Sequence, residues 1–200
     1  MRRILLFSSE NLSVTKGEID RGSVPSLISD VCRCVQATFF LSHAIRKDAQ
    51  LLILDGGDKA ILMDGERLRY LGPDERSITI LIMKALEKRK EFSRSFYEST
   101  PGIFVGSNLE EVLLKKAAEE EAEIFFPEDS GRSLRNINVR ENVLAILPLR
   151  REFGIEGNEF LDRCSVKGVR FTKGNFVVDS AILLLNNEID RRIMYAERSA

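Results

Sequence analysis

The sequence predicts an α/β domain, a largely parallel β-sheet with helices on both faces. Three observations carry that prediction. Short apolar runs alternate with longer stretches of helical spacing along the chain. Some of the short runs are continuously apolar, as in Ala49–Leu54 (AQLLIL). Turn residues punctuate them, as in Asp55-Gly56-Gly57-Asp58 and Pro101-Gly102. No internal repeat, low-complexity tract or long linker interrupts the pattern, so residues 1–200 read as one domain.

Each element has its own signal. Arg3–Phe7 reads as the first strand. Ser23–Leu41 carries Leu27, Ile28, Val31, Val35, Phe39 and Phe40 at helical spacing. Ala49–Leu54 is a strand, and Ala60–Met63 reads as its antiparallel hairpin partner. Asp74–Arg89 is a helix opened by Pro73, with acids in its first turn. Ile103–Val105 is a short strand and Leu109–Glu121 an amphipathic helix. Ile124–Phe126 and Val143–Leu147 are strands, separated by a polar loop at Pro127–Glu141. Asn158–Cys164, Val169–Phe171 and Phe176–Met194 complete the reading as helix, strand and long terminal helix.

Composition narrows function. The chain has 30 Lys+Arg against 31 Asp+Glu, which excludes a strongly basic, non-specific nucleic-acid coat. Charge is nevertheless local. Residues 130–173 hold nine basic side chains against five acidic ones, which suits a small RNA-facing patch as well as a solvated surface. A single His excludes a His-rich zinc centre, and no metal is expected. Cys32, Cys34 and Cys164 are few and odd in number, which predicts reduced thiols and a cytoplasmic location. Cys32 and Cys34 lie two apart on a helix, so they point to different faces and read as packing thiols. The apolar run at the N-terminus stops at Ser8, too short for a signal peptide, and no run has the length of a membrane span.

Three segments carry chemistry. Arg33–Arg46 (RCVQATFFLSHAIR) contains the lone His; read as the end of a helix, it puts His43 and Arg46 on one face. They either face a cleft or interact with the helix dipole. Gly72–Arg76 (GPDER) opens the next helix, and its Arg76 could also meet a phosphate. Ser99–Ile103 (STPGI) is a turn whose Gly102 allows close backbone approach to a ligand. Phosphate-loop, dinucleotide, zinc-protease and serine-nucleophile signatures are absent.

Together these segments resemble the archaeal tRNA pseudouridine N1-methyltransferases, a SPOUT-class family. The resemblance rests on R-C-V-x-x-x-F-F-L-S-H-x-I-R at Arg33–Arg46, on P-D-E-R-x-I at Pro73–Ile78 with Lys84-Ala85-Leu86 following, and on S-T-P-G-I-[YF]-V at Ser99–Val105. It implies a SPOUT-type parallel sheet flanked by helices with a C-terminal trefoil knot, although general rules make knots rare. It also implies a homodimer that uses S-adenosylmethionine to methylate N1 of the pseudouridine at position 54, in the T-loop of tRNA. The reaction needs in-line positioning, removal of a proton and stabilisation of a developing anion, but no metal. His43 or Asp74 would take the proton, and Arg33, Ser42, Arg46 and Arg76 would hold the substrate. Pro127, Leu147, Gly154, Phe171, Thr172, Lys173, Gly174, Asn175, Phe176 and Ala181 would line the cofactor site.

The cofactor half departs from the family pattern. Leu147 stands where the first glycine of G-D-H-x-G aligns, and Ala181 stands where the last motif has Cys. These departures suggest an alternative, a paralogue that binds RNA or a partner without transferring a methyl group. The terminal helix carries Ile182, Leu183, Leu185, Ile189 and Ile193, more apolar surface than one core-facing stripe needs, which predicts a dimer contact.

Overall fold

The computed structural model describes the chain apart from residues 57–59, 92–95, 138, 140–141, 150–165, 173–176 and 200. Its elements are β1 (Arg2–Phe7), α1 (Lys16–Arg21), α2 (Ser26–Phe39), β2 (Ala49–Leu54) and β3 (Ala60–Asp64). They continue as α3 (Glu75–Glu91), β4 (Tyr97–Thr100), β5 (Ile103–Gly106), α4 (Leu109–Glu119) and β6 (Glu123–Ser133). A 3-10 turn at Leu134–Asn136, β7 (Val143–Pro148), β8 (Val166–Arg170) and α5 (Val178–Ser199) complete the chain.

The strands form one sheet in the order β4-β5-β3-β2-β1-β7-β6-β8. Strands β2, β1, β7, β6 and β8 run parallel, while β3, β5 and β4 are antiparallel. The expected α/β class is present, but the antiparallel part is larger than the single hairpin read from sequence. β4 escaped notice because YEST is a short, half-exposed edge strand with no apolar run.

β1 explains the centre of the sheet. Ile4 and Leu6 pack on one face and Leu5 on the other, all buried. That is why a central parallel strand reads as an unbroken apolar run. Helices α2, α3 and α5 cover the first face; α4 covers the second through Leu109, Leu113 and Ala117.

α1 has one buried residue, Ile19, too few to show a period, but a capping box marks its start. Thr15 accepts from the Glu18 N–H while the Glu18 carboxylate accepts from the Thr15 N–H, and Gly22 closes the helix at φ 68°. α2 stops at Phe39, two residues before the expected end. Phe40 pairs with Ile45 in a β-bridge, and the Arg46 N–H donates to the Phe39 carbonyl at 2.7 Å. Ser42, His43 and Arg46 therefore lie on a tight turn beyond α2, not on one face of it. Cys32 and Cys34 are buried in α2 as expected of packing thiols.

The polar stretch read as a loop at Pro127–Glu141 is strand in its first part and a 3-10 turn at Leu134–Asn136. β6 runs through it to Ser133 beside β8, with a register shift between Pro127 and Arg132. β8 lies three residues earlier than read from sequence at its start, and the helix read at Asn158–Cys164 falls outside the described residues. Gly102, at φ 83°, does approach backbone closely, but that backbone is the chain's own. A Cβ there would sit 2.4 Å from the Leu68 nitrogen.

Candidate active site

The turn that carries the lone His is held from both sides. Leu41 N–H donates to the Ala44 carbonyl across its tip, leaving Ser42 and His43 exposed. Arg46 turns inward and is nearly buried, with its Nη1 and Nη2 bonded to the two carboxylate oxygens of Asp190 on α5 at 2.9 and 2.8 Å. Arg2 reaches the same carboxylate at 2.6 Å and Asp48 at 3.1 Å. Burial works to raise the Asp190 pKa, but the hydrogen bonds from Arg46 and Arg2 outweigh it, so the carboxyl stays below its usual range. Arg46 thus anchors the His43 turn to the terminal helix. Four residues earlier on α5, Asn186 donates to the Ala37 carbonyl at 2.9 Å and ties α2 to the same helix.

The second predicted segment is also engaged within the fold. Asp74 stands just before α3 and accepts from the Ser77 N–H at 2.9 Å and the Ser77 hydroxyl at 2.5 Å. Those Ser77 bonds, side chain first, lower its pKa. An N-capping carboxylate with both oxygens occupied is a weaker proton acceptor than a free one. Arg76 donates to the Ile19 carbonyl and the Asp20 carboxylate, both at 2.9 Å, and pins α1 to α3. Gln36 donates to the Pro73 carbonyl at 2.7 Å, so α2 touches this segment directly. Arg33, half exposed, pairs with Asp30 and approaches Asp179 of α5 at 3.9 Å. On α2, burial pushes the Cys32 thiol up to about 11, which keeps it protonated and out of nucleophilic chemistry.

A cleft of about 240 Å³ opens where β6 and β8 end. Leu134, Phe171 and Leu184 give it apolar walls; Ser133, Thr172, Asn187 and Glu188 give it polar groups; Arg135 and Arg170 bring positive charge. It sits at the carboxyl ends of parallel strands, where open α/β sheets bind ligands. Of the predicted cofactor residues, Phe171 and Thr172 line it. Pro127 lies on β6 at the register shift. Leu147 is wholly buried inside β7 opposite Leu6, and Ala181 is wholly buried on the core face of α5. Gly154, Lys173, Gly174, Asn175 and Phe176 lie outside the described residues. Sequence reasoning missed the contribution of α5 to the cleft. Its Leu184 and Glu188 keep helical spacing, but nothing in the sequence says that this stripe faces a ligand.

A family profile described as "Putative SAM-dependent RNA methyltransferase" matches residues 10–194. The chain belongs to this family. Among curated proteins, a tRNA (pseudouridine(54)-N(1))-methyltransferase of Haloferax volcanii is 35% identical over 161 residues, covering 80% of this chain and 81% of that protein. One of the same name from Methanococcus vannielii is 31% identical over 191 residues, covering 90% of this chain and 95% of that protein. Among solved structures, Archaeoglobus fulgidus Nep1 bound to S-adenosylhomocysteine superposes with a TM-score of 0.61 at 14% identity, covering 97% of this chain and all of that one. The last likeness shows a shared fold.

The cleft residues fit the family's cofactor in kind. Apolar walls that include the Phe171 ring suit an adenine ring, and hydroxyl and amide groups beside them suit a ribose and an amino acid. Leu147 does not obstruct this arrangement, because its side chain belongs to the core rather than to the cleft. Among the described residues no cluster of His, Cys, Asp or Glu could hold a metal ion, and no helix is long and apolar enough to cross a membrane.

Proposed function

We propose that this protein transfers a methyl group from S-adenosylmethionine to N1 of the pseudouridine at position 54 of tRNA. The observation that carries the reading is the cleft at the ends of β6 and β8, lined by Phe171 and Thr172, in a chain whose family profile spans residues 10–194. Leu134, Phe171, Thr172, Leu184 and Asn187 would hold the cofactor there, and the bound cofactor would supply an electrophilic methyl on a sulfonium. The polypeptide would align the base nitrogen with that methyl and exclude water. Arg135 and Arg170 would hold the substrate backbone or the anion that develops on the base. Of the two proton acceptors read from sequence, His43 is exposed on its turn and available, whereas Asp74 is engaged by Ser77. His43 is therefore the acceptor that the fold leaves exposed, and since it does not line the cleft of its own copy it would have to reach the base from a second one.

The active unit would be a homodimer in the cytoplasm. Ile182, Leu185 and Ile189 point into the core, so they are not the dimer surface that the sequence pattern suggested. Val177, Leu183, Met194 and Tyr195 are exposed on or beside α5 and are the groups a second copy would cover. The deciding experiment is methyl transfer from labelled cofactor to tRNA with and without the T-loop pseudouridine. Label confined to the pseudouridine-containing tRNA is expected; equal labelling of both, or of neither, would overturn the assignment.

A further inference from the structure

The antiparallel end of the sheet has a surface that the reaction above does not use. Phe104 of β5 lies on the α4 face of the sheet and is only 3% exposed. Phe96, just before β4, stacks on it with ring centroids 4.9 Å apart and planes within 6°. The guanidinium of Arg67 sits 4.6 Å from the centre of the same Phe104 ring. Arg67 is itself held by Glu98 at 3.2 Å. Phe96 is 53% exposed, and one face of its ring is taken by Phe104, so its other face looks outward. The result is a cation–aromatic–aromatic column that ends in a half-exposed ring.

An apolar lid over Phe104 alone would not need this geometry. A branched aliphatic side chain would cover the ring without leaving a flat surface parallel to it. The segment against the β4–β5 turn, at the other end of β4 from Phe96, carries the same kinds of side chain. Arg69 is exposed and its N–H donates to the Pro101 carbonyl at 3.2 Å. Next to it Tyr70 is 84% exposed and held at φ 62°, a backbone region that bulky residues rarely adopt. Exposed aromatic rings interleaved with arginines are what binders of unpaired nucleotides present, because every base has a face to stack and every linkage has a charge to pair.

We propose that Phe96 is a stacking platform for an unpaired base of the RNA substrate, buttressed by Phe104 and Arg67. The proposal rests on the reading of the protein as a tRNA-modifying enzyme and adds a second contact to it. Five strand spacings separate β5 from β6, or about 25 Å. The platform therefore takes a base other than the one being methylated, and it sets which RNA shapes are accepted.

The chain contains no tryptophan, so Phe96→Trp introduces a single fluorescent ring at the platform. Titration with a single-stranded oligouridine and with intact tRNA is expected to quench that emission, and a blunt RNA duplex of equal length is expected to leave it unchanged. No quenching by either single-stranded oligonucleotide or tRNA would overturn the platform. Phe96→Ala should weaken tRNA binding about fivefold or more with S-adenosylmethionine affinity unchanged, and should lower the melting temperature only by the loss of its stack on Phe104. Phe96→Leu should weaken tRNA binding as much as Phe96→Ala, and tRNA affinity equal to the parent in Phe96→Leu would overturn the stacking role even if the alanine variant folds poorly. Quenching by oligouridine in a protein that transfers no methyl would keep the platform and remove the enzymatic reading. Methyl transfer with no quenching would do the reverse.

Discussion

The two halves of the sheet carry opposite kinds of information. The half from β1 to β5 holds the sequence segments most like the family, yet their charged side chains are largely engaged inside the protein. Arg46 binds Asp190, Arg76 binds α1, and Asp74 binds Ser77. The half from β6 to β8 matches the family motifs least, yet it holds the cleft. The contrast teaches that a motif with a lone His and several arginines can be mostly scaffold. A site lined partly by backbone and by common side chains can drift in sequence without losing its shape.

The sharpest way to break the comparison is to treat Leu147 as a cofactor residue. Leu147→Ala should destabilise the fold by about 3 kcal/mol through a core cavity, read as a fall in the urea midpoint. If the variant is instead as stable as the parent and binds cofactor more tightly, Leu147 belongs to the cleft. Arg46→Ala should cost less, about 1–2 kcal/mol, because it removes a nearly buried guanidinium from a cluster whose Asp190 is 39% exposed and keeps Arg2 as a partner. Little change in stability with a large loss of RNA binding would return Arg46 to the substrate.

The same cluster has a pH signature. Asp190 has a folded pKa below its unfolded value, so its contribution is present above the unfolded value, about 4, and is lost as pH falls through the folded one. Acid unfolding below about pH 4 should therefore flatten in Asp190→Asn relative to its own neutral stability.

Asp74→Ala should lower the melting temperature slightly, through the loss of a helix cap, and leave methyl transfer within a few-fold of the parent. A hundredfold fall in turnover at unchanged stability would make Asp74 the proton acceptor. The smallest stability effect, below about 0.5 kcal/mol, is expected for Asn187→Arg, which changes an exposed helix position. That variant should nonetheless lose cofactor binding by calorimetry, since its new side chain fills the cleft from α5. Unchanged binding would place the cofactor elsewhere.

Periodicity and the family resemblance were enough for the α/β class, the core strands β1, β2 and β7, and the methyltransferase family. Those features are local, since a buried parallel strand or an amphipathic helix is written in consecutive residues. Other features depend on partners far along the chain, and only the tertiary structure decided them. Whether Arg46 serves substrate or scaffold depends on Asp190, 144 residues away. Whether polar residues after Phe126 form a loop or an extended strand depends on the register with β8. Whether Phe96 is a lid or a platform depends on what stacks beneath it. A side chain's chemistry is set by its residue type, but its role is set by which groups the fold leaves within hydrogen-bonding or stacking reach.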